Sequence, residues 1–224
     1  MIRRQFLSRS GLALSGVAAG ACSMPGWALS ASQELPNLAA KAQPISRAER
    51  ARRVAMAQDI MRAMDIGSVL IEPGSSLVYF TGIRWWRSER TTAALIPAEG
   101  QPCIFTPYFE EPSVRESLEI DAEVRTWNED ENPQKLIASW LVEKKLDNRP
   151  IGIEETVRNF IVDGLKRALP DASLISGAPV VRGCRMHKTP AEIALMQTAA
   201  DITVAAFRHA GSQIDKGFPA CPHL

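Results

Sequence analysis

The residue types best suited to gripping a ligand sit together in Arg84-Trp85-Trp86-Arg87-Ser88-Glu89-Arg90. Two tryptophans between arginines are costly to leave in water without a use. Guanidinium forks pair with carboxylates at two points, and indole faces pack on proline rings or cations. Two readings follow. In one, Arg84, Trp85, Trp86 and Arg87 form a rim that holds a peptide or small carboxylate ligand, or a subunit contact. In the other, one tryptophan plugs the edge of a sheet and the arginines are solvated.

Elsewhere the chemistry-bearing residues are scattered. The chain has no Gly-x-Ser-x-Gly elbow, His-Glu-x-x-His helix, Gly-rich phosphate loop or dinucleotide fingerprint. His187, His209 and His223 lack companions at metal-ligand spacing, and the Cys221/His223 pair lies in a tail too short to fix a coordination shell. The carboxylates of Glu110-Glu111, Glu129-Asp130-Glu131 and Glu154-Glu155 read as solvated or as complements to helix dipoles. No general acid–base pair, catalytic residue or metal ligand is therefore assigned. A formal charge of +1 and no basic cluster with interleaved aromatics give no reason to expect nucleic acid.

The first 31 residues read as an export signal of the twin-arginine type. Arg3-Arg4-Gln5-Phe6-Leu7 precedes an uncharged apolar run from Gly11 to Ala21, and small residues around Ala28 to Ala31 offer a cleavage region. That run falls short of the roughly 20 residues a membrane span needs. The expected location is periplasmic or extracellular. Without the leader the chain keeps 23 basic and 25 acidic residues, a charge of roughly −2. It also keeps only Cys103, Cys184 and Cys221, which imply neither a zinc motif nor a disulfide framework. Cys103 reads as a buried small apolar side chain.

The elements that must position the Arg84–Arg90 segment follow from period and punctuation. Residues 32–45 form a flexible lead-in. Ser46 and Glu49 make a capping box opening a helix with Val54, Ala57, Met61 and Met64 on one face and Gly67 as its stop. Ser68 to Ile71 predicts a buried strand ending at Pro73-Gly74, and Leu77 to Phe80 a second short β-prone run closed by Gly82. Thr91–Ile96 and Cys103–Thr106 flank a hairpin turn. Helices then alternate with strands: 110–118 helical, 122–127 extended, 133–145 helical with Leu136, Trp140 and Leu141 inward. Residues 151–154 are extended, 156–169 helical and 173–175 extended. The fold class is α/β, a mixed sheet covered by helices on both faces.

A second capping box, Thr189-Pro190-Ala191-Glu192, opens a helix whose stripe is Ile193, Met196, Ala200, Val204 and Phe207. Such a stripe needs a partner to bury it. Residues 182–217 thus read as a linker helix that should open a further domain, and residues 218–224 as an aberrant tail, the product of a shifted frame or early stop.

On the motifs Ser76-Leu77-Val78-Tyr79-Phe80-Thr81-Gly82, Ile151-Gly152-Ile153-Glu154 and Arg185-Met186-His187-Lys188-Thr189-Pro190-Ala191-Glu192-Ile193, the chain resembles the creatinase, prolidase and aminopeptidase P family of metallohydrolases. The likeness covers about residues 46–216 and concerns the domain that precedes the catalytic part. It implies a creatinase-type N-terminal domain at 46–181 and a "pita-bread" catalytic domain beyond residue 217. That second domain would carry two divalent ions (manganese, cobalt or zinc) on two Asp, one His and two Glu; creatinase itself is the metal-free exception. The implied reaction is hydrolysis of a peptide bond beside proline. The family also implies a homodimer in which an N-terminal-domain loop borders the neighbour's active site, a role for which Arg84–Arg90 is placed. Taken alone, the chain would then be inactive. The competing reading is a stand-alone exported binding or oligomerisation module.

Overall fold

The computed structural model describes residues 36–215; the segment expected to be an export signal (residues 1–31) and the 218–224 tail lie outside them. A 3-10 turn at Leu38–Lys41 leads to helix α1, Arg47–Ala63. Strand β1 (Ser68–Ile71), helix α2 (Ser75–Thr81) and strands β2 (Ala93–Pro97) and β3 (Cys103–Pro107) follow. Next come α3 (Glu111–Ser117), β4 (Glu123–Trp127), α4 (Pro133–Glu143), β5 (Ile151–Ile153), α5 (Asn159–Ala168) and β6 (Leu174–Ser176). Helices α6 (Ala178–Met186) and α7 (Pro190–Asp215) complete the described chain.

The six strands form one mixed sheet in the order β4-β3-β2-β1-β5-β6. The β2–β3 hairpin and the β1–β2 pair are antiparallel, while β3–β4, β1–β5 and β5–β6 are parallel. The central strands are apolar on both sides because helices cover both faces. Val69, Ile71, Ala94, Ile96 and Ile104 point into a core shared with α1, α2, α3 and α6. Leu70, Ala93, Leu95, Cys103 and Phe105 point into the opposite core, filled by Ile137, Trp140 and Leu141 of α4 and Ile161 and Leu165 of α5. The mixed, doubly covered sheet is the predicted class, and Cys103 is fully buried as expected.

Four local expectations need correction. Residues 77–80 are helical, not extended. Leu77 and Phe80, one turn apart, both reach the core, and Thr81 Oγ1 donates back to the Leu77 carbonyl at 2.7 Å. Gly82 then ends α2 in the left-handed region (φ 84°), where a Cβ would also lie 2.8 Å from the Glu119 Cβ. α1 stops at Ala63, not at Gly67: Met64 caps it, half of that side chain is in water, and Asp65 carries the positive φ of 55°. α5 starts at Asn159, because the Thr156 amide and hydroxyl are both held by Glu154 at 2.8 and 2.6 Å. Finally, α6 is a helix of its own ahead of the expected linker helix; its Val180, Val181 and Cys184 pack in the α1 core.

Ser46 and Thr189 both act as N-caps, but only the Thr189/Glu192 capping box is complete, because the Glu49 carboxylate is taken by Arg52 and Arg53. Glu49 N donates to Ser46 Oγ at 3.2 Å, and Thr189 N donates to the Glu192 carboxylate at 2.8 Å while Glu192 N reaches Thr189 Oγ1 at 3.3 Å. The stripe of α7 is not covered: Ile193, Met196, Val204 and Phe207 are all exposed. Among the described elements, α7 chiefly neighbours the Leu38–Lys41 turn.

Candidate functional site

The Arg84–Arg90 segment joins a helix to a strand, from α2 to β2, and lies beside the ends of β1 and β5. Its entry is rigid. Thr81 Oγ1 accepts from Ile83 N at 3.1 Å, and the Ile83 side chain is wholly buried. The two indoles then part company. Trp85 is half-buried against the core that α1 and α2 share with the sheet. Trp86 is 92% exposed.

The arginines differ as sharply. Arg87 Nε donates to the Pro73 carbonyl at 2.9 Å and Nη2 donates to Thr156 Oγ1, so this guanidinium staples the end of β1 to the loop after β5. Arg90 pairs with Glu129 at 2.7 Å and stands over the Phe109 ring at 5.2 Å. Arg84 makes no hydrogen bond or ion pair among the described residues. Arg84, Trp85, Trp86 and Arg87 nevertheless wall a single cleft of about 730 Å³, floored by Pro73, Gly74 and Val78. An exposed indole, a free guanidinium and the Pro73 ring suit a ligand with an apolar ring and a carboxylate.

A buried polar frame holds the cleft in place. Glu72, whose side chain has no solvent exposure, accepts from Arg158 Nε and Nη2 at 3.0 and 2.7 Å and from the Arg158 amide at 2.7 Å. The same guanidinium donates to the carbonyls of Ser88 (2.5 Å) and Arg90 (3.4 Å), so it clamps the far end of the segment. Beside it, Ser76 Oγ donates to Glu154 at 2.8 Å and accepts from Arg185 Nη1 at 3.0 Å. Glu154 is therefore buried, contrary to its reading as a solvated member of an acidic pair. Nothing local pairs Glu72 with Arg158: they lie 86 residues apart and meet because β1 and β5 are neighbours. Three of the frame's groups, Ser76, Glu154 and Arg185, belong to motifs that carried the family likeness.

Neither described cysteine is poised for chemistry. Burial pushes the Cys184 thiol up to about 11 and the Cys103 thiol higher still. Burial also raises the Tyr79 hydroxyl to about 12, and that hydroxyl donates to the Cys184 carbonyl at 2.7 Å. Among the described residues no three His, Cys, Asp or Glu side chains come together as a metal site, so the residues described do not fit the ion pair implied by the family, and no step is derived through it. No described helix is long and apolar enough to cross a membrane.

Residues 53–187, more than half of the chain, match the sequence profile of the Creatinase/Prolidase N-terminal domain. The chain belongs to that family. An uncharacterized peptidase of Schizosaccharomyces pombe is 34% identical over 173 residues, covering 71% of this chain and 36% of the relative. A probable dipeptidase PepE of Mycobacterium bovis is 28% identical over 183 residues, covering 78% of this chain and 43% of its own length. Among solved structures, recombinant prolidase from Thermococcus sibiricus superposes with a TM-score of 0.65 at 26% identity, over 71% of this chain and 43% of the prolidase. The N-terminal domain of an X-Pro dipeptidase from Streptococcus pyogenes shares the fold at 16% identity and a TM-score of 0.52, covering 59% of this chain and 98% of that domain. The chain thus spans less than half the length of the curated relatives it matches.

Proposed function

We propose that this chain is the N-terminal, non-catalytic part of an exported Xaa-Pro-type metallopeptidase, contributing to dimerisation and to the rim of the substrate site. The observation that carries the reading is the family match over residues 53–187, alongside similarity to relatives named as a dipeptidase and a prolidase. The exposed Trp86, with Arg84 and Arg87 on one cleft, supports assigning the rim to this loop. The uncovered stripe of α7 supports its role as the element leading into the catalytic part. Two ions of manganese, cobalt or zinc would be held by ligands outside the residues described, and a proline-containing peptide is the substrate of the whole enzyme. Export rests on the Arg3-Arg4 leader; changing both arginines to lysine should leave the protein in the cytosol.

The experiment is turnover by the purified chain. With manganese, cobalt or zinc and an Xaa-Pro dipeptide, no proline release is expected. Metal-dependent release that a chelator abolishes would overturn the assignment.

A further inference from the structure

A second cleft, of about 740 Å³, lies where α1, α2 and the start of α7 meet, and it shares only Ser75, Val78 and Arg84 with the tryptophan cleft. Five cationic side chains line it: Arg50, Arg53, Arg84, Arg185 and Lys188, against the two carboxylates Glu119 and Glu192. Both carboxylates are already engaged. Glu119 is bound by Arg50 Nε at 2.6 Å, and Glu192 is shared between its own capping box and Arg53 Nη2 at 3.2 Å.

The remaining cations have no acid. Arg185 donates only to the hydroxyls of Ser75 and Ser76, each at 3.0 Å. Lys188 Nζ reaches only main-chain carbonyls, those of Arg185 and Met186. Arg84 has no polar partner among the described residues. Underneath, Arg53 is 4% exposed, and its buried Nε and Nη2 lack any hydrogen bond; they are held only at ion-pair distance from Glu49 and Glu192. Uncompensated positive charge over a buried guanidinium is unfavourable for the empty protein and favourable for a bound anion. The opposite wall is apolar, formed by Ile45, Leu195 and Met196. The volume lies within the range of small-ligand sites, about 300–1,000 Å³.

We infer that this cleft binds a small organic anion, its phosphate or carboxylate group held by Arg84, Arg185 and Lys188 and its apolar body on the α7 wall. Arginine forks supply two-point geometry and Lys188 a point charge. The site shares Arg84 with the tryptophan rim but is otherwise built from different residues, and it does not depend on the peptidase reading.

The test is calorimetry and thermal unfolding of the full chain with phenyl phosphate, benzoate and inorganic phosphate, each against sodium chloride at matched ionic strength. Saturable binding and a raised Tm are expected for phenyl phosphate or benzoate, with inorganic phosphate at least tenfold weaker because it lacks the apolar body. The double variant Arg84→Gln/Lys188→Gln touches no buried contact and should weaken binding at least tenfold. Trp86→Phe, which lines only the neighbouring cleft, should leave binding unchanged. Stabilisation no greater than that of sodium chloride, or undiminished binding by the double variant, would overturn the inference; so would loss of binding in Trp86→Phe, which would assign the ligand to the other cleft.

Discussion

Helices α1 and α7 begin alike and end differently. Each opens with a hydroxyl N-cap and a glutamate three residues on, and each repeats apolar residues at steps of three or four. In α1 the repeat Val54, Ala57, Met61 is buried against the sheet and α6. In α7 the repeat Ile193, Met196, Val204, Phe207 lies in water. Local sequence therefore fixes where a helix starts and how its side chains are phased. It does not fix burial, which depends on the surface opposite. One residue couples the two helices: Arg53 of α1 reaches Glu192 of α7 while donating to the Tyr79 carbonyl at 3.0 Å and stacking over the Tyr79 ring at 4.1 Å.

The largest contrast should come from truncating the two stripes. Met61→Ala removes a fully buried side chain and should cost about 3 kcal/mol, whereas Phe207→Ala should stay within about 0.5 kcal/mol. Urea midpoints of the two variants measure the difference directly. Equal costs would break the comparison.

Cutting the coupling should cost less. Arg53→Met leaves Glu49 without one of its two arginines and the Tyr79 carbonyl with only its longer donor, Arg50 Nη1 at 3.3 Å; about 2 kcal/mol of stability should go. The start of α7 should also loosen, which amide exchange at residues 190–196 would report. Loss of global stability with α7 protection unchanged would mean that Arg53 supports only the α1–α2 contact.

The caps give a finer version. Ser46→Ala should lower global stability by about 1 kcal/mol, because α1 unfolds with the core. Thr189→Ala should reduce helical signal while leaving the urea midpoint within about 0.3 kcal/mol, because α7 frays separately. Identical midpoint shifts would show the two helices to be one cooperative unit.

The smallest effect is a pH dependence under α1. Burial raises the Cys184 thiol to about 11, so the folded chain holds a proton that the unfolded chain releases near the usual thiol value. This contribution is complete below pH 9 and declines as pH rises from there to about 11. Cys184→Ser should flatten the alkaline slope of stability in that window. Mass spectrometry after brief alkylation at pH 8 should also find Cys184 unlabelled in the native chain.

The same contrast separates what was legible in the sequence from what was not. Period-two and period-three-to-four patterns carry the α/β class, the β2–β3 hairpin and both capped helices, because these depend on neighbours a few residues away. Leu77–Phe80 misled, since its β-prone side chains also fit a two-turn helix once Gly74 and Gly82 flank it and the core takes Leu77 and Phe80. The candidate cleft was half legible. Arg84, Trp85, Trp86 and Arg87 stood out by composition, but that Trp85 would pack and Trp86 would not depends on the α1–α2 surface beneath. Glu72–Arg158 and the Arg185–Ser76–Glu154 chain were invisible, because strand order and helix packing create those pairs across 78 to 109 residues.

The most direct test of the α1–α7 contrast is amide hydrogen exchange read by mass spectrometry on the intact chain at neutral pH. Peptides covering Val54 to Met61 should exchange only through global unfolding, while those covering Ile193 to Phe207 should exchange orders of magnitude faster through local opening. Equal, core-like protection of the two would contradict the account: the α7 stripe would then be buried in this chain, and its assignment as an unpacked connecting helix would fail.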